Sequence, residues 1–232
     1  MRFSYNQGAD PRWTASDTIV SAANTVADAN ALSLGTSPIK WAPTLTSEGA
    51  CQGISIWWLI KRAMNDDFWT WFGPPKCAAP SSTKAYGAAG APVAAVKTVM
   101  QGQMRIALQG GDRATNHRAA INYILSNTTG HLTNKRGLVL RQNATWKTMA
   151  YEIMVAKGYC FIGFSRKGWG GHAIAAHIMN DGAVEFMDPN LGEYDVADLS
   201  TFVNWMNDQI GPWYGFNNLD TFEMQTLSRP GQ

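Results

Sequence analysis

The sequence predicts an α+β domain, with helices in the first two thirds of the chain and antiparallel strands towards its end. Three observations predict it. Early apolar residues recur at helical spacing, as in Val96, Val99, Met100 and Met104. Residues 159–164, 171–179 and 183–188 are short β-rich runs. Between the last two, Asn180-Asp181-Gly182 is a hairpin turn sequence, which makes the pairing antiparallel. Helices and antiparallel strands segregated along one chain give the α+β pattern.

At the N-terminus, residues 1–45 are rich in Ala, Ser, Thr, Asn and Asp and read as an arm ahead of the main domain at 46–232. A weak helix starts there at Ser16 or Asp17 and uses Ile19, Val20, Ala23, Val26 and Ala27; Pro38 and Pro43 bracket an extended stretch. From Cys51 to Asn65 apolar residues occupy nearly every helical face, including Ile54, Ile56, Trp57, Trp58, Leu59 and Ile60, so this helix belongs inside the domain. Gly73-Pro74-Pro75 breaks regular structure, and 73–92 reads as a loop. Val96 to Leu108 gives a second helix ended by Gly110-Gly111, and Asp112 caps a third that uses Ala120, Ile121, Ile124 and Leu125. Thr145 caps a fourth, with Trp146, Met149, Ile153 and Ala156 on one face and Gly158 at its end. After the hairpin, Leu199, Phe202, Val203, Met206 and Ile210 mark another helix, and 221–227 a last strand.

Length and composition bound the function. A chain of 232 residues with 45% apolar content supports one large domain with a real core. The cluster Trp57, Trp58, Trp69 and Trp71 reads as core packing. Net charge is only +2 and no basic stripe is present, which removes the electrostatic case for nucleic acid. Three cysteines without a CxxC suit a reducing compartment. No 18-residue apolar run predicts a membrane helix, and the N-terminus lacks an apolar signal core. Export would then use a route without a cleaved signal peptide.

Cys51 carries the most information. It comes after Gly49-Ala50 at the start of an apolar helix, where backbone amides favour thiolate over thiol and can cradle an oxyanion. His172, in Gly170-Gly171-His172, supplies a base that titrates near working pH. Asp188, in Met187-Asp188-Pro189, can orient it. The hairpin places His172 at the start of one strand and Asp188 at the end of the next, hence side by side. Taken singly, a lone cysteine is a small core residue, a histidine near glycine is structural and Asp-Pro-Asn is a turn. Together and in this order they favour thiol catalysis. His172 and His177 lie on opposite faces of a strand, and His117 and His131 have no ligand at metal spacing, so no metal or other cofactor is expected. Trp169 is either a substrate contact beside His172 or a core anchor. Cys77 and Cys160 lack a helix-start context, and Cys160 sits in an apolar strand.

Three motifs resemble those of the YopT-type effector cysteine proteases, a papain-like group that bacteria deliver into other cells. They are Gly49-Ala50-Cys51-Gln52-Gly53-Ile54-Ser55, then Gly171-His172-Ala173-Ile174-Ala175, then Phe186-Met187-Asp188-Pro189-Asn190-Leu191-Gly192. The spacing is also similar, with 121 residues from Cys51 to His172 and 16 from His172 to Asp188. The resemblance implies a papain-like fold, with a helical part carrying the cysteine packed on an antiparallel sheet carrying the histidine and aspartate. It implies Cys51 as nucleophile, His172 as general base and acid, and Asp188 as orienter. It implies a secreted effector or toxin that acts on a protein substrate in the target-cell cytoplasm; a monomer is expected, and an immunity protein or chaperone is left open as a further partner. One departure stands out: 42–50 has no Asn or Gln to complete an oxyanion hole. Thr46, Ser47 or Gln52 must then serve, and losing one such donor costs about 2.7–4 kcal/mol of transition-state stabilisation. Two other readings use the same residues: a glutamine deamidase or acyltransferase, and a binding module with an idle triad.

Overall fold

The computed structural model describes residues 3–4, 50–72, 93–107 and 113–231. The expected helix near Ser16, the 73–92 loop, the Gly110-Gly111 stop with its Asp112 cap, and Thr46, Ser47 and Cys77 lie outside these residues. The apolar stretch after Ala50 forms helix α1, Cys51–Ala63, and it is as enclosed as its all-round apolar sequence requires: Ile54, Ile56, Trp58 and Leu59 are fully buried. A short helix α2, Phe68–Phe72, comes next; five residues are too few to show a helical period, and the sequence did not reveal it. Helices α3, Val93–Ala107, and α4, Arg113–Asn127, complete this layer. Gly53 lets α1 and α3 touch, because a Cβ there would lie 2.6 Å from the Val99 carbonyl oxygen. Trp58 and Trp69 are buried, and Trp57 stacks on Trp71 at 5.1 Å, so the tryptophan cluster is core.

The sheet has seven strands, all pairs antiparallel. In chain order they are β1 (Phe3–Ser4), β2 (Thr133–Thr145), β3 (Gly158–Arg166), β4 (Gly170–Ile178), β5 (Val184–Asp188), β6 (Gly192–Val196) and β7 (Asn218–Ser228). Their spatial order is β1-β6-β5-β4-β3-β7-β2. Gly182, at φ 90°, makes the β4–β5 turn, as Asn180-Asp181-Gly182 predicts. Three strands escape the sequence pattern, and the first, β1, is only two residues long. In β2 only Val139 and Ala144 are buried, and register shifts between Asn134 and Val139 erase the two-residue period. β6 is five residues long and hidden behind the Asp188-Pro189-Asn190 turn.

Helix α5, Trp146–Ala156, packs on the other face of the sheet. Thr145 caps it as expected, its Oγ1 accepting from the Thr148 amide at 3.1 Å. Thr145→Ala is expected to cost about 1 kcal/mol, lowering the Tm in thermal denaturation by about 2–4 °C. The helix expected from Leu199 to Ile210 is corrected in detail. It is α-helical over α6, Leu199–Trp205, widens to a π turn over Met206–Ile210, and resumes as α7, Gly211–Tyr214. Pro212 has no amide to donate, which breaks the α-helical ladder at that point.

Two cores result, one on each face of the sheet. Ala173, Ala175 and Met187 face α1–α4, while Ile174, Ala176 and Phe186 face α5–α7. Glu193 of β6, fully buried, fastens α1 to the sheet. It accepts from the Trp58 and Trp69 indoles at 2.9 and 2.7 Å and pairs with Arg62. Ser55 Oγ adds a hydrogen bond to the Ala173 carbonyl at 3.0 Å. None of the described helices is long and apolar enough to cross a membrane.

Candidate active site

The start of α1 abuts the start of β4, and this brings Cys51 to His172. Both line one cleft of about 870 Å³. His172 Nε2 lies 2.9 Å from Asp188 Oδ1, and Asp188 is completely buried. With Nε2 committed to Asp188, Nδ1 is the nitrogen that remains for the Cys51 thiol. The β4–β5 register explains the first contact. Ala176 pairs with Phe186, so the even-numbered residues of both strands share a face, and His172 and Asp188 lie on it. His177 is on the opposite face, stacked on Tyr159 at 4.1 Å.

Asp188 is held from three sides. Oδ1 also accepts from the Asn190 amide at 2.8 Å, and Oδ2 accepts from the Tyr214 hydroxyl at 2.7 Å. Tyr214 of α7 is the orienting residue that sequence reasoning missed. Burial and the Asp188 charge push its pKa well above the usual value, so it stays a donor. Only the local Gly-Pro-Trp-Tyr sequence marks it, and nothing there signals a partner 26 residues away.

The electrostatics favour a charged pair. Burial opposes the Cys51 thiolate, but the His172 ring and the amides of Ala173 and Gln52 outweigh it, and the thiol is held below its ordinary 9.0. Burial likewise opposes a charged His172, but Asp188 and the Cys51 sulphur raise its pKa to about 10. At Cys160 burial outweighs the Thr226 hydroxyl and the charges of Lys135 and Arg136, and the thiol is pushed up to about 12.

Two other expected residues belong to the cleft. Gln52 lines it next to Cys51. Trp169, 42% exposed, stacks on Phe164 at 5.9 Å and meets the His172 ring edge-on at 6.2 Å, so it is both a cleft wall and part of the aromatic cluster around the histidine. Gln103 of α3, Asn116 and His117 of α4 and Glu223 of β7 also line the cleft, and none was marked by sequence. Gln103 is the most informative of them. Its Oε1 accepts from the Gly53 amide at 3.0 Å, capping the first turn of α1 from a different helix where Ala50 offers no side-chain cap. Gln103→Ala is expected to cost about 1 kcal/mol, seen as a Tm loss of about 2–4 °C, and to slow Cys51 alkylation. Gln103→Glu keeps the acceptor and should restore the Tm, while its charge slows alkylation further.

Comparison with known proteins gives the family and the fold. A family model described as Yersinia/Haemophilus virulence surface antigen, peptidase family C58, matches residues 101–224. That stretch contains His172 and Asp188 and begins after Cys51, so the placement of Cys51 rests on the geometry above. No curated protein matches the chain. Among solved structures, the Pseudomonas avirulence protein AvrPphB is similar, with a TM-score of 0.52 and 15% sequence identity over 77% of this chain and 91% of that one. Its helices and antiparallel sheet are those of a papain-like cysteine protease fold, the fold seen here. With more than half of its length matched by the family model, the chain belongs to peptidase family C58, the YopT- and AvrPphB-type bacterial effector cysteine proteases.

Proposed function

We propose that the chain is an effector cysteine protease that cuts a protein of the target cell through Cys51, His172 and Asp188. The observation that carries this is His172 held between buried Asp188 and the Cys51 sulphur inside an open cleft. The thiolate of Cys51 attacks the scissile carbonyl and forms a tetrahedral oxyanion. The first-turn amides of α1 face that charge, and Gln103 keeps their turn in place. Collapse breaks the C–N bond, and His172 gives its proton to the leaving amine. His172 then takes a proton from water, which hydrolyses the thioester and restores the pair. Asp188 fixes the ring through its three donors. Trp169 shields the His172–Asp188 side of the cleft from water and contacts substrate.

On the same reading the protein acts as a monomer and works in the target-cell cytoplasm. Residues 1–45 are its delivery or docking arm and 46–232 its catalytic domain. The test is incubation of wild-type and Cys51→Ala proteins with a target-cell lysate, and then profiling of new protein termini. New termini that need Cys51 establish the protease and name its substrate. Cys51-dependent mass gains of about one unit without cleavage replace this reading by amide-to-acid conversion on the same thioester chemistry.

A further inference from the structure

A second cavity, of about 430 Å³, opens at the end of the sheet away from the cleft. Strand β3 runs from Gly158 in this cavity to Arg166 in the cleft, which separates the two by about 26 Å. Lys135, Lys157, Arg229 and His177 line it, and its wall contains no Asp or Glu.

The pairing of these cations is unlike that of Lys61, Arg62, Arg136 and Arg141, which all have carboxylate partners. Arg229 is held by neutral groups. Its Nε donates to the Tyr159 hydroxyl at 3.2 Å, and its Nη2 donates to Asn65 Oδ1 at 2.6 Å and to the Ala63 carbonyl at 3.5 Å. Lys135 Nζ donates to the Lys157 carbonyl at 3.3 Å. Among the described residues no carboxylate pairs with Lys135, Lys157 or Arg229. Glu185, which reaches His177 at 2.9 Å, is also taken up by Arg62 at 3.2 Å. The backbone supports the arrangement at a cost. Lys157 sits at φ 46°, a region that disfavours side chains, and Gly158 is next at φ 111°, where a Cβ would lie 2.6 Å from the Leu227 carbonyl oxygen. The carbonyl end of α5 accounts for one neighbouring cation but not for three.

We infer that this cavity binds a phosphate monoester, carried either by a free small molecule or by a lipid headgroup. Two lysines and a guanidinium held in place by its Nε and Nη2 bonds, with Nη1 left to donate, match the charge of a phosphate dianion better than that of a single carboxylate. The volume leaves room for a sugar-sized group beyond the phosphate.

The test uses the full chain and reads binding rather than turnover. Inorganic pyrophosphate is titrated by calorimetry as the soluble probe. Phosphatidylcholine vesicles carrying phosphatidylinositol 4-phosphate, and others carrying phosphatidylserine at equal charge, are used in co-sedimentation. The double variant Lys135→Gln/Lys157→Gln changes two exposed side chains and is checked for an unchanged Tm, as is Arg229→Lys, which keeps the charge and loses the bonds that fix its position. Binding at one site, weakened at least about tenfold in the double variant and also in Arg229→Lys, is the expected result. Pyrophosphate binding without vesicle binding assigns a soluble ligand, and selective sedimentation with the phosphoinositide vesicles assigns the headgroup. Equal binding by the double variant, equal sedimentation with phosphatidylserine vesicles, or no binding to any probe overturns the inference.

Discussion

Cys51→Ala is expected to lower turnover by at least about 10⁴-fold, the scale on which losing the nucleophile collapses a catalytic triad. The Tm should stay within a few degrees, because the thiol is small and the residue barely exposed. Labelling separates the two effects without a known substrate. Iodoacetamide at neutral pH should modify Cys51 in the wild-type protein, since its thiol titrates below 9.0. It should not modify Cys160, which is fully buried and pushed up to about 12. Mass spectrometry of labelled peptides reads both sites. Turnover retained in Cys51→Ala, or equal labelling of the two cysteines in folded protein, would remove Cys51 from the mechanism.

The second large effect is expected at Asp188. Asp188→Ala strips the acceptor from the His172 ring, the Asn190 amide and the Tyr214 hydroxyl at a site with no solvent exposure. Removing one partner of such a buried pair costs roughly 3–5 kcal/mol, a Tm loss that denaturation will show. The pKa of His172 should fall from about 10, because burial then acts without the Asp188 charge. Cys51 loses its cationic neighbour, and its alkylation should shift to higher pH. Turnover is expected to drop about 10²–10⁴-fold. Asp188→Asn keeps an acceptor without the charge, so it should recover most of the Tm and still show the shifted alkylation profile. An unshifted profile in that variant would show that the Asp188 charge does not sustain the pair.

The same groups set the pH dependence. Turnover should rise as pH climbs through the lowered Cys51 value and fall as His172 loses its proton near 10. Stability has its own window. The folded protein holds the His172 proton to about pH 10, while the unfolded chain releases it near 6.5. The raised value therefore stabilises the fold fully below 6.5, and its contribution is lost as pH rises from there to about 10.

The meeting of Cys51, His172 and Asp188 was legible because each sits in a local signal: a cysteine opening an apolar helix, and a histidine and aspartate at the ends of a hairpin whose turn residues fix the register. The long helices were legible through their period. The features that escaped depend on contacts remote in sequence. Tyr214 reaches Asp188 from a helix 26 residues further on, Gln103 caps a helix it does not belong to, and β2 is a strand because β7 pairs with it through shifts that hide the alternation. The second oxyanion group was expected from Thr46 or Ser47, which lie outside the described residues, or from Gln52, which lines the cleft beside Cys51; Gln103 of α3 is a further side-chain amide there.

The fastening of α1 to the sheet has a consequence for passage through narrow channels. Ser55 and Ala173 are 118 residues apart, and the Arg62–Glu193 and Trp58–Glu193 contacts span similar distances. A chain threaded through a pore as an extended polymer holds none of them. Its Cys51 is then a plain thiol near 9.0, with no imidazole beside it. A chain that crossed a pore in this form would hold Cys51 unactivated, and its reactivity would return only with the loop closures that dock α1 on the sheet.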